Sequence, residues 1–155
     1  MAISKLMHMK ETAGNPSRHL KRAIEYIMNP EKTNDQKYVK VNQALYVNQI
    51  NSEQIYERML HTKRIFGKEW GRQGYHFIIS FADQDHITPE EAVQIIDEIQ
   101  REYLKDVYEC VYAVHDNTEH LHGHLIFNSI DCVKGMKYHY KKGDWEKDIL
   151  PCVNK

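Results

Sequence analysis

Ten of the 155 residues are histidine, and four of them, His115, His120, His122 and His124, fall in one short stretch. Imidazole titrates near neutrality, binds divalent metals through its free nitrogen and exchanges protons readily, so such a density has chemical meaning. Strand side chains alternate between faces, which places His122 and His124 on the same face. Tyr108 to His115 and Leu121 to Ile130 are both apolar enough for strands, and the intervening Asp116-Asn117-Thr118 is turn-forming, so the segment predicts a hairpin. In that hairpin His115 ends one strand almost opposite His122, which begins the next, and three imidazoles converge on one point. Three protein ligands leave coordination positions open for a substrate. A lone strand histidine is ordinarily just solvated; three aimed at one point favour a metal or phosphate site. His120 shares the parity of His122 but lies closer to the turn, which gives it a supporting role.

The elements that must position this cluster can be followed along the chain. Met1 to Lys10 alternates weakly, as an edge strand does. Asn15-Pro16-Ser17 starts a helix whose apolar stripe is Leu20, Ala23, Ile24 and Ile27, and Asn29-Pro30 stops it. Tyr38 to Val47 carries Val39, Val41, Leu45 and Val47 on one parity, a strand pattern. Ser52 is positioned to cap a second helix that turns Ile55, Met59 and Phe66 inward and ends near Gly67. Gly74 to Phe81 reads as a central strand, with His76 and Ser80 opposite Tyr75, Phe77, Ile79 and Phe81. Thr88-Pro89-Glu90-Glu91 combines a cap, a first-turn proline and a returning glutamate, opening a third helix that runs to about Leu104. Five strands and three helices in this order predict an α+β fold, a mainly antiparallel five-stranded sheet with helices packed against it.

Composition sets the outer limits. A mass of 18.4 kDa suits one domain over residues 1–155, burying roughly 70% of the unfolded surface. Lys plus Arg number 21 against 22 Asp plus Glu, so nucleic-acid binding would need a local basic groove rather than a basic surface throughout. Three cysteines, Cys110, Cys132 and Cys152, do not form a disulfide framework, and a reducing cytoplasm is expected. No apolar run approaches the roughly 20 residues of a membrane span, so no membrane insertion is expected. The tail from Lys134 is polar and closes on no motif, as in the N-terminal part of a longer protein.

The spacing of His115, His122 and His124, followed by Leu-Ile-Phe-Asn128, resembles the metal motif of the relaxase/mobilisation nuclease family, MobP class: the His-hydrophobe-His endonucleases of conjugative elements. Arg18 to Thr33, with Tyr26 ahead of Asn-Pro-Glu-Lys, resembles the family's nucleophile helix. Gly74 to Phe81 followed by Ile87-Thr-Pro-Glu-Glu91 resembles its central strand and next helix. Two positions depart: Asn117 stands where the family usually carries an acidic residue, and Gly123 separates the paired histidines where a larger residue is usual. Two other readings share part of the pattern. The run of histidines is similar to that of histidine-triad nucleotide hydrolases, which use no metal. Rolling-circle replication initiators share the chemistry but usually place tyrosine after the histidine pair.

The resemblance implies the His-hydrophobe-His endonuclease fold and a specific reaction. A divalent metal, Mg²⁺ or Mn²⁺ before Zn²⁺, held by His115, His122 and His124 would grip the scissile phosphate of single-stranded origin-of-transfer DNA. Tyr26 would attack it, leaving a 5′-phosphotyrosyl enzyme and conserving the bond for rejoining. Relaxosome accessory proteins and a type IV secretion coupling protein are the implied partners. Tyr26 lies about 120° around the helix from Leu20, off the apolar stripe and near Arg22, which could stabilise the phenolate or bind a flanking phosphate. Lys21 shares that DNA-binding role. His76 could support a ligand or bind phosphate, and Asn128, on the parity of the paired histidines, could orient the site.

Overall fold

A computed structural model describes residues 3–116 and 120–139, so Asn117 and the rest of the expected turn at 117–118 lie outside the described residues. The chain runs β1 (Ile3–Met9), α1 (Arg18–Ile27), β2 (Val39–Val41), α2 (Ser52–Ile65), β3 (Gly74–Ser80), α3 (Pro89–Ile99), β4 (Cys110–His115) and β5 (His122–Asn128). The strands form one sheet in the order β1-β3-β5-β4-β2. Every adjacent pair is antiparallel, which puts the histidine-bearing β5 at the centre.

Helices cover both faces. On one, α1 and α2 bury Leu20, Ile24, Ile27, Ile55 and Met59 against Val111, Ala113 and Ile126. On the other, α3 buries Ala92, Ile96 and Ile99 against Phe77, Ile79, Val114, Leu125 and Phe127. The alternation of β5 therefore sends Gly123, Leu125 and Phe127 to α3 and leaves His122, His124 and Ile126 facing α1.

Local chemistry sets the boundaries. Thr88 and Glu91 exchange the two bonds of a capping box at the start of α3. The cap of α2 is Asn51 rather than Ser52, its side chain accepting from the Gln54 amide at 2.8 Å. The strand expected over 38–47 is only three residues long. Buried Asn42 ends it: its amide donates to the Tyr108 carbonyl, and its oxygen accepts from the Leu45 and Cys110 amides. Leu45 still reaches the α1/α2 core, by a loop rather than a strand. The helix expected to reach Leu104 changes to a wider π turn over Gln100–Leu104, closed by left-handed Lys105. No described helix is long and apolar enough to cross a membrane.

Candidate active site

The β4–β5 hairpin sets His115 directly across from His122, and Ala113 across from His124. On the other side of β5, Ser80 and Ile78 of β3 complete the rows. The last turn of α1 lies over this patch. Ile24 and Ile27 are pinned in the core, and Tyr26, one position from Ile27, comes to the rim of the apolar face, 49% exposed. Its ring stands edge-on to two imidazoles, 5.6 Å from His115 and 6.0 Å from His124. A tyrosine and a histidine cluster far apart in sequence thus share one surface.

The imidazoles are held in particular tautomers. His115 Nε2–H donates to the Ile27 carbonyl at 2.9 Å, which leaves Nδ1 with its lone pair. His76 Nε2 and His124 Nδ1 share a hydrogen bond of 2.9 Å, which leaves His124 Nε2 free. The His115 and His124 rings are 4.2 Å apart. Burial pushes all three below the ordinary histidine range: His124 to about 2, His76 to about 4, and His115 down as well. Neighbouring positive charge adds to burial in each case, so these rings are neutral at physiological pH. His122 is half-buried, and among the described residues its ring contacts none of the others.

A cation is present that sequence reasoning did not single out. Lys32 Nζ lies 4.8 Å from the centre of the Tyr26 ring. The loop after α1 is built to carry it: Asn34, Asp35 and Gln36 are left-handed, Thr33 is buried and bonded to the Asn29 carbonyl, and the Lys32 carbonyl accepts from the Asp116 amide at 3.1 Å. The only signal in the sequence was its place in the Asn-Pro-Glu-Lys run. Arg22 is exposed and makes no hydrogen bond or cation–π contact with Tyr26, and Lys21 instead leans over the Tyr56 ring of α2. His120 is exposed and faces Asp83 at 3.3 Å, away from the cluster.

Asn128 is elsewhere altogether. It is fully buried at the far end of β5, where its amide donates to the Met59 carbonyl and to Glu109, and its oxygen accepts from Lys63. It ties α2 to the sheet. Among the described residues, no three His, Cys, Asp or Glu side chains form a group arranged to hold a metal ion. The donor chemistry nevertheless fits one: neutral imidazoles, each of the two buried ligand candidates with one nitrogen fixed by a partner and the other free. The backbone of His122 stands directly across from that of His115.

The molecule is thus an α+β scaffold, an antiparallel sheet covered on both faces, with a tyrosine of α1 over histidines gathered from its three middle strands. Comparison with known proteins gives it a family. The profile "Relaxase: MobA/VirD2-like, nuclease domain" matches residues 26–151, and the chain belongs to that family, not to the histidine-triad hydrolases. It is 30% identical over 142 residues to the group II intron-interrupted relaxase LtrB of Lactococcus lactis, covering 79% of this chain and 25% of that protein. It is 33% identical over 81 residues to a Staphylococcus aureus protein called rlx, covering 52% of this chain and 24% of that one. The chain therefore spans about a quarter of the length of the relatives it matches. Its fold is similar, with a TM-score of 0.57 at 14% identity over 96% of this chain and 83% of the other, to a solved structure described as the molecular basis of vancomycin resistance transfer in S. aureus. The expected fold is thus observed in both architecture and family.

Proposed function

We propose that this domain is the nicking module of a DNA relaxase for conjugative transfer, with Tyr26 as nucleophile. The observation that carries the reading is the Tyr26 ring set against His115 and His124 with Lys32 over its face. In the reaction, Tyr26 Oη forms a bond to the scissile phosphorus of single-stranded origin DNA, and the bond to the 3′ oxygen breaks. The phenolic proton is lost, and the departing 3′ oxygen takes one up. The 5′ phosphate remains on the tyrosine, so the strand can be rejoined by the reverse step.

The chain's own residues supply position and charge. Relaxases of this family are in general dependent on divalent metal. His115 through Nδ1, His124 through Nε2 and His122 would hold the ion here, Mg²⁺ or Mn²⁺ before Zn²⁺. When bound, it supplies positive charge at the phosphate oxygens. His76 fixes the ring of His124, and the Ile27 carbonyl fixes that of His115, each from a backbone or buried position. Lys32 offers charge to the phenolate as it forms and to the phosphate once transferred. Accessory proteins at the origin and a secretion coupling protein are the partners this function needs.

The test is covalent capture. Wild type incubated with Mn²⁺ and an origin strand labelled on the 3′ side of the nick should carry the label through denaturing electrophoresis. Tyr26→Phe should lose the adduct while keeping its fold. Label released as free cleaved DNA by wild type, or an adduct persisting in the Phe variant, would remove Tyr26 from this role.

A further inference from the structure

At the end of the sheet remote from the histidines, a cleft of about 350 Å³ is lined by Arg72, Tyr75, Ser129, Lys137, Tyr138 and His139. None of these residues takes part in the chemistry described above. Three features distinguish the cleft from an ordinary solvated surface. Its two cations have no salt-bridge partner: among the described residues, neither Arg72 nor Lys137 has a carboxylate within ion-pair distance, Glu11 acts on Lys137 only from farther off, and Arg72 makes only a long, 3.4 Å contact with the Tyr75 hydroxyl. Ser129, 2% exposed, is on its wall with a buried hydroxyl that has no hydrogen-bond partner. A buried hydroxyl left without a partner is unfavourable unless something bonds to it.

The third feature is aromatic. Trp70 is 61% exposed beside the cleft, and Lys137 Nζ lies 5.7 Å from its ring centre and bonds its carbonyl. Gly71, left-handed at φ +79°, permits this approach, since a Cβ there would stand 2.8 Å from Lys137 Nζ. The backbone thus lets an ammonium group come next to an exposed indole. Two cations and a hydroxyl donor suit a phosphate; an exposed aromatic ring beside them suits a base.

We propose that this cleft is a second DNA site, which grips one backbone phosphodiester through Arg72, Lys137 and the Ser129 hydroxyl while a neighbouring base stacks on Trp70. Five residues of chain separate His124 from Ser129, about 17 Å at the rise of a strand. Tyr75 and Tyr138 belong to the α3 side of the sheet, so a strand running from the histidines reaches the cleft by rounding the sheet end, a path longer than about five nucleotides at the roughly 3.4 Å stacked spacing. The choice of DNA over another phosphate rests on the relaxase reading; the anion chemistry of the cleft does not.

The experiment separates the two. Binding of the whole chain, as Tyr26→Phe to prevent covalent trapping, is measured for a six-nucleotide strand centred on the nick and for a thirty-nucleotide strand. Arg72→Gln with Lys137→Gln should weaken the long strand about tenfold and make its salt slope shallower by about 0.7 for each phosphate no longer neutralised. The short strand, which does not reach the cleft, should bind as tightly as it does to the protein with the cleft unaltered. Trp70→Ala should weaken the long strand about tenfold, near the low end of one base stack, with an unchanged salt slope. Ser129→Ala should weaken it severalfold, again without altering the slope. Unchanged affinity and slope in the Gln pair, or an equal weakening for the short strand, would overturn the proposal. So would competition by millimolar inorganic phosphate for the cleft with no effect on the long strand, which would make it a small-anion site. Nicking of the short strand by wild type checks the relaxase reading independently of all these outcomes.

Discussion

At the residue scale the proposed reaction turns on one cation. Arg22, a turn before Tyr26, is the partner of the phenol that helical spacing suggests, but Lys32 occupies that place. A side chain that stabilises developing charge in a transition state contributes far more to rate than to stability. Lys32→Ala should therefore lower nicking by about 10²-fold, a typical loss for one such group, while Lys32→Arg recovers part of it. Arg22→Ala, at an exposed position with no hydrogen bond or cation–π contact to Tyr26, should change nicking less than Lys32→Ala does. Single-turnover cleavage of the origin strand measures all three, and an Arg22 effect that matches the Lys32 effect would reverse the assignment. Replacing His122 with Ala should abolish metal binding by calorimetry without unfolding the chain, because its side chain is half-buried at the rim of the sheet rather than packed in the core.

At the element scale, the close fit of α3 to β5 explains an apparent anomaly in the motif. Gly123 separates the paired histidines where a large residue is usual. Its missing side chain would point at α3, 2.8 Å from Ile79 Cγ2 and closer still to Ile96 Cδ1. The helix sits so near the central strand that the space is already filled. Gly123→Ala should cost about 1–3 kcal/mol by overpacking, read from denaturant unfolding. Adding Ile96→Val should recover part of that stability, because the flexible end of Ile96 is the nearest obstacle. Additive destabilisation in the double variant would show that the glycine serves something other than this fit. Asn128 makes a parallel point: strand parity shared with His122 and His124 says nothing about depth along the strand, and its network with Lys63 and Glu109 belongs to the α2 anchor.

At the scale of the whole molecule, the buried imidazoles set a pH limit. His76 is pushed to about 4, and His124 and His115 are lowered too, whereas the unfolded chain keeps each near 6.5. Above pH 6.5 both states are neutral and stability is unaffected by these groups. As pH falls from about 6.5 toward 4, the unfolded state takes up protons that the folded state refuses, so stability falls. Melting of the metal-free chain should drop over that interval, at about 2–4 °C for each kcal/mol. His76→Asn, which can still hydrogen-bond to His124, should flatten the drop. An identical slope in the variant would assign the acid sensitivity to other groups, such as the Asp97 carboxyl held low by Tyr112 and Arg101.

Much of this protein was legible in its sequence, because the relevant physics is local. Periodicity and capping identified three helices, and alternation plus a turn identified the hairpin with His115 across from His122. Those properties depend on residues a few positions apart. The early end of β2 was not legible, because Asn42 stops the strand through partners more than 60 residues away. Nor were the shared hydrogen bond of His76 with His124, the place of Lys32 over Tyr26, or the cleft at Arg72, Ser129 and Lys137. Each depends on where separate elements pack in three dimensions, and pairwise chemistry across such distances leaves no periodic trace in the chain. The sequence determined which residues could react; the packing of α1 and its following loop over the central strand decided which of them meet.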